Sequence, residues 1–148
     1  MLEIDKKFGK YAKAEVERKF LLKELPHGAV LHSEIEDSYI NGTTLRLRKA
    51  KTQTETIYKL GQKIRPNPDS TRLILHTNMY LAESEFNLFA TLPLKQLVKK
   101  RHELAVGDTS VWVDQFEGSL AGLIIAEVDF GASGDPASFS KPSFPGSY

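Results

Sequence analysis

A chain of 148 residues, 41% hydrophobic and 26% charged, suits one domain with a sizeable core and is too short for two. Lys and Arg number 20 against 19 Asp and Glu, a net charge of +1 that argues against a dedicated nucleic-acid binder, and the absence of Cys excludes disulfides and thiolate metal sites. No apolar run approaches the roughly 18 residues of a membrane span and no signal core follows Met1, so the expected location is the cytoplasm.

In chain order, residues 1–14 read as an N-terminal arm or short helix, with Ile4, Phe8 and Tyr11 at helical spacing and Lys6, Lys7, Lys10 and Lys13 as a solvated face. Residues 15–148 read as a single domain. Ala14–Leu21 alternates like a strand, and Leu22–Ile35, with Pro26 and Gly28, reads as a loop. Glu36–Ile40 and Thr43–Lys49 read as strands joined at the Asn41-Gly42 turn signal. Thr54–Leu60 continues as a strand, residues 65–70 form a loop with Pro66 and Pro68, and Arg72–Leu81 is extended again. Glu83–Leu92 is the predicted helix, capped by Ser84, with Phe86, Phe89 and Ala90 as its core face and Pro93 beyond it. Strands follow at Gln96–Leu104, Ser110–Phe116 and Gly122–Phe130; the Gly-, Ser- and Pro-rich remainder allows at most a helical turn at Ala137–Phe139. Seven or eight short strands at hairpin spacing, with little helix, predict an α+β, mostly β chain built as an antiparallel sheet or barrel.

Alternate residues of a strand share a face, and here those faces carry charge. Glu15, Glu17 and Lys19 fall together, as do Arg46 with Arg48, Lys99 with Arg101, and Glu127 with Asp129, while Lys59 and Asp114 stand singly in apolar strands. For any one strand, polar-out alternation is ordinary. As a set, the charges segregate by strand, and like charges about 7 Å apart repel unless a counterion sits between them. Paired carboxylates suit a hard divalent cation, and paired Arg and Lys suit phosphate oxygens. Six basic against five acidic groups leave +1, which two divalent cations would raise to +5, about what a bound triphosphate of roughly −4 to −5 neutralises. Burying such charges dry would cost several kcal/mol each, so the interior must be a hydrated tunnel or cleft. Alternation by itself leaves open whether the sheet closes.

The run Glu15-Val16-Glu17-Arg18-Lys19-Phe20-Leu21 resembles the opening ExExK signature of the CYTH, or triphosphate tunnel metalloenzyme, superfamily. The likeness continues in order through Leu45-Arg46-Leu47-Arg48, Tyr58-Lys59, Lys99-Lys100-Arg101-His102, Asp114-Gln115-Phe116 and Ala126-Glu127-Val128-Asp129-Phe130. The resemblance implies an eight-stranded antiparallel barrel with few flanking helices. It also implies metal-dependent hydrolysis of inorganic triphosphate or a related triphosphate. Lys19, Arg46, Arg48, Lys59, Lys99 and Arg101 would hold phosphates, and Glu15, Glu17, Asp114, Glu127 and Asp129 would hold Mg²⁺ or Mn²⁺. Glu17 and Lys19 would be catalytic. The implied partner is tripolyphosphate, ATP or a similar small molecule, with no membrane and no dedicated nucleic acid; a homodimer is compatible with it.

Two departures set the alternatives. The stretch Leu75-His76-Thr77-Asn78-Met79-Tyr80 stands where many relatives carry an acidic E-x-E strand. The chain stops at Pro145-Gly146-Ser147-Tyr148, where the family usually continues, which implies a barrel that is incomplete or closes differently. The alternatives are a class IV-like adenylate cyclase and a non-catalytic polyphosphate- or nucleotide-binding module. Trp112, between Val111 and Val113, reads as core, and His27, His32, His76 and His102 read as surface or incidental groups.

Overall fold

The structure, a computed structural model, describes residues 9–67, 69 and 73–130. The expected arm over residues 1–8 and the turn at 137–139 lie outside them. Eight strands form: β1 Lys13–Leu22, β2 Val30–Ile40, β3 Leu45–Lys51, β4 Thr56–Ile64, β5 Leu73–Leu81, β6 Leu94–Val106, β7 Thr109–Phe116 and β8 Ile124–Asp129. Among the described residues one α-helix, α1 (Glu83–Phe89), joins β5 to β6, and a 3-10 turn at Gly118–Leu120 lies between β7 and β8. Around the barrel the order is β1-β5-β4-β3-β2-β6-β7-β8, closed back on β1, with every pairing antiparallel. Closure removes the sheet edges.

The seam lies at β1. Residues 13–16 pair with β5, placing Glu15 opposite Ile74, whereas residues 17–22 pair with β8, placing Glu17 opposite Asp129 and Lys19 opposite Glu127. Such staggering is what closing a sheet of tilted strands requires.

Several boundaries differ from the sequence expectation. β2 begins at Val30 rather than Glu36, because a register shift between Leu31 and Ser33 breaks the alternation that would have marked it. Gly61 lies inside β4 rather than ending it, and β4 runs on to Ile64. Helix α1 is shorter than Glu83–Leu92 and Ser84 does not cap it: the Glu85 carboxylate accepts from the Ala82 N–H at 2.8 Å. None of its residues is buried; Phe86 only lies against Tyr58, ring centroids 4.8 Å apart.

The apolar residues that alternate with the charges pack on the other face of the sheet. Phe20 and Leu22, Leu104, Val111 and Val113, and Ile124, Ala126 and Val128 form one buried cluster on β1, β6, β7 and β8. Each large side chain so buried contributes about 1.5–3 kcal/mol, enough to hold the charged face in a fixed position. Among the described residues no helix is long and apolar enough to cross a membrane.

Candidate functional site

The charged positions face a cavity of about 430 Å³ inside the barrel. Seven cationic side chains line it (Lys19, Arg46, Arg48, Lys63, Arg65, Lys99 and Arg101), with the carboxylates Glu15, Glu17, Glu127 and Asp129. Eleven charged side chains can share one interior only if water or a ligand reaches them, since burying them dry would cost several kcal/mol each.

The cations of β3 and β6 are held from behind by two buried aspartates. Asp37, wholly buried on β2, accepts from Arg48 Nε at 2.7 Å and Arg48 Nη2 at 2.8 Å, and its Oδ1 lies 3.8 Å from Arg46 Nε. Asp114 on β7 accepts from Arg101 Nε at 2.8 Å and Nη2 at 2.9 Å. Lys99 bridges them, 2.9 Å from Asp114 and 3.8 Å from Asp37. These contacts are cross-strand pairs: Asp37 stands opposite Arg48, and Asp114 opposite Arg101. Asp114 is therefore occupied by two cations and is not among the residues lining the cavity.

The wall stays short of negative charge. Burial, and then the neighbouring Arg48, lower the Arg46 guanidinium; burial and Arg101 lower the Lys99 ammonium; burial lowers Lys63. Burial alone would raise Asp114, but the hydrogen bonds and charge of Arg101, and then Lys99, hold it at about 2 against an ordinary 3.8. A depressed carboxyl contributes stability that is present above the unfolded value and lost as pH falls through the folded one. Stability should therefore drop by roughly 2 kcal/mol between about pH 4 and 2 on this account. Urea denaturation of Asp114→Asn should lose that part of the acid dependence; an unchanged profile would show that other carboxyls govern it.

The acidic wall spans β1 and β8. Burial, and then the hydrogen bond and charge of Glu127, push Glu17 up to about 7. Glu127 is lowered: burial opposes this, but the hydrogen bond from Glu17 and the charges of Arg101, Lys19 and Lys63 outweigh it. Below about pH 7 Glu17 is thus the protonated member of the pair, with Glu127 accepting from it. Lys19 reaches toward them, its ammonium 3.7 Å from Glu17 Oε1. Glu15 is engaged elsewhere, 2.9 Å from His76 Nδ1 and 4.0 Å from Lys63 Nζ, which lower it against the effect of burial. Among the described residues no three Asp, Glu or His side chains form a ready cation cluster. Still, two carboxylates sharing one proton are hard oxygen donors that a divalent cation can take over by displacing it.

Of the predicted phosphate residues, Lys59 alone is absent from the lining; its ammonium lies 5.1 Å over the Tyr80 ring. Lys63, two positions beyond Gly61 on the same strand face, lines the cavity instead. Asp37, Lys63, Arg65 and His76 went unread in the sequence. Lys63 was legible as Lys59 plus four had β4 been extended past its glycine. Asp37 carries no pattern of its own within its strand. His76 is neither surface nor incidental, and His102 is buried. Trp112 forms cavity wall rather than core, with Arg101 over its ring at 5.4 Å, while Val111 and Val113 are the buried pair.

Comparison with solved structures finds the same architecture. The crystal structure of the hypothetical protein NE1496 shares 22% identity at a TM-score of 0.55, covering 90% of this chain and 87% of that one. The crystal structure of the inorganic triphosphatase NE1496 shares 23% at 0.53, covering 88% and 82%. The PH1819 protein from Pyrococcus horikoshii OT3 shares 19% at 0.53, covering 83% and 80%. No family model and no curated protein sequence matches the chain. At these identities the likeness shows the fold alone, a closed antiparallel barrel, which is the architecture that the sequence resemblance implies.

Proposed function

We propose that this CYTH-type tunnel binds inorganic triphosphate, or a small molecule carrying a triphosphate chain, and hydrolyses it with the help of Mg²⁺ or Mn²⁺. One observation carries the reading: seven cationic side chains and the carboxylates Glu15, Glu17, Glu127 and Asp129 line the same cavity. The likeness to the inorganic triphosphatase NE1496 supports the same substrate class.

Counting Asp37 and Asp114 behind the wall, cations exceed carboxylates by one, seven against six. One or two divalent cations make the surplus three to five, near the roughly −4 to −5 of a triphosphate chain. Arg46, Arg48, Lys63, Lys99 and Arg101 would hold the phosphate oxygens, with the guanidiniums of Arg48 and Arg101 already oriented by their aspartates. Such preorganisation favours the transition state because no group need turn as charge develops. Glu17, Glu127 and Asp129 would hold the cation, with Glu15 beside them. When bound, that cation would neutralise phosphate charge and make a nearby water more acidic.

Water attacks the terminal phosphorus, the bridging P–O bond breaks, and orthophosphate and diphosphate form with release of a proton. Lys19, whose ammonium stands beside Glu17, would meet the charge growing on the leaving or attacking oxygen. The decisive experiment incubates purified protein with tripolyphosphate and with ATP, each with Mg²⁺ or Mn²⁺. Orthophosphate release from tripolyphosphate is expected. Formation of cyclic AMP and diphosphate from ATP, or tight binding without turnover under either cation, would overturn the hydrolase reading in favour of a cyclase or a binding module.

A further inference from the structure

The two glutamates that β1 turns into the cavity have different neighbours. Glu17 stands opposite Asp129 on β8, with Glu127 two residues along the same strand face. Glu15 stands opposite Ile74 on β5. The β5 positions that alternate with Ile74 are His76 and Asn78, so that strand brings no carboxylate to Glu15. Both Glu15 oxygens meet nitrogen instead: Oε1 lies 2.9 Å from His76 Nδ1, and Oε2 lies 4.0 Å from Lys63 Nζ.

Lys63 reaches this wall from a distance. It belongs to β4, on the far side of β5 from β1, and stands opposite His76 in the register. Its partly buried side chain lines the cavity and carries the ammonium past β5 to a carboxylate of β1. Burial lowers the ammonium; of the charges acting on it, those of Glu17, Glu127 and Glu15 oppose burial and that of Arg46 adds to it. The ammonium therefore stands within the field of three carboxylates drawn from both acidic strands. Like charges gathered in this way need a cation among them, and here the chain supplies one of its own. A divalent ion placed on Glu15 would be repelled by that ammonium and by the neighbouring Arg46.

We infer that the Lys63 ammonium takes the position of a second metal ion in the acidic wall. The tunnel then holds one divalent cation, on Glu17, Glu127 and Asp129. Glu15 anchors Lys63 and His76 and is not a ligand, a departure from the role that the sequence resemblance implies for it. This rests on the cation-assisted reading above and adds to it the number of ions and which glutamate of β1 is excluded.

The probe is Mn²⁺ alone, titrated into the full chain and counted by the electron paramagnetic resonance signal of the free ion. Wild type should bind one Mn²⁺ per chain. Lys63→Ala should bind two, and Lys63→Arg, which keeps the charge, one. Glu15→Gln should weaken the wild-type site by less than about tenfold, the effect of a nearby charge lost across hydrated space. Thermal midpoints without metal show which variants are folded; if Lys63→Ala is not, the wild-type count and Glu15→Gln decide. Two Mn²⁺ on wild type, only one on folded Lys63→Ala, or a loss of tenfold or more in Glu15→Gln overturns the inference and leaves the cation-assisted reading standing. If wild type binds tripolyphosphate but no Mn²⁺, that reading itself falls and takes the inference with it.

Discussion

Glu17→Gln is expected to fold normally, to bind Mg²⁺ or Mn²⁺ without releasing a proton, and to lose more than about 100-fold in triphosphate turnover. The amide imitates the state that the free protein already prefers. Glu17, held up at about 7 by burial and by Glu127, carries a proton below that pH and donates it to Glu127. A Gln side chain donates in the same place, so stability should change little. In the wild type an incoming cation must expel the proton. Cation affinity should therefore rise with pH up to about 7 and level off above it, with close to one proton released at pH 6 and much less at pH 8. Outer partners of metal ligands typically cost 10–100-fold when removed, so a direct ligand should cost at least the upper figure. Calorimetry in two buffers of different ionisation enthalpy measures the proton directly. Equal proton release from wild type and variant would remove Glu17 from the cation site.

The second large effect concerns stability. Asp37→Ala should destabilise the protein by about 3–5 kcal/mol, the usual result of deleting one partner from a buried ionic cluster. Arg48 would lose both of its hydrogen bonds to Asp37, and Arg46 and Lys99, each 3.8 Å from it, would lose the anion between them. Asp37→Asn should cost less, because the amide oxygen still accepts one bond. The variants should also respond more strongly to ligand than wild type does. Tripolyphosphate brings negative charge to the same cations, and anything that binds only the folded state stabilises it. Urea denaturation with and without tripolyphosphate tests both statements. A loss under 1 kcal/mol for Asp37→Ala would mean that solvent, not Asp37, balances these cations.

The antiparallel, mostly β class was legible because hairpin signals such as Asn41-Gly42 and period-two charge patterns are local. The same periodicity put Arg46 with Arg48 and Lys99 with Arg101, and they do share the cavity. What failed locally failed for physical reasons. The irregular register near Leu31 disguised the start of β2, and Gly61 imitated the end of a strand while lying inside β4, where it lines the cavity. Asp37 looked like any polar strand residue; only pairing β2 with β3 sets it against Arg48.

By itself, then, the sequence determined which residue types share a strand face, since alternation needs nothing beyond the backbone. It could not determine what each face meets. Glu15 and Glu17 are equivalent in the ExExK run, yet the seam through β1 divides them. Glu15 falls on the part of the strand paired with β5, where His76 and Lys63 hold it, and Glu17 on the part paired with β8, where it shares a proton with Glu127. Closing the barrel with staggered strands made that difference, because neighbours across a sheet follow from shear and register, which involve the whole chain at once.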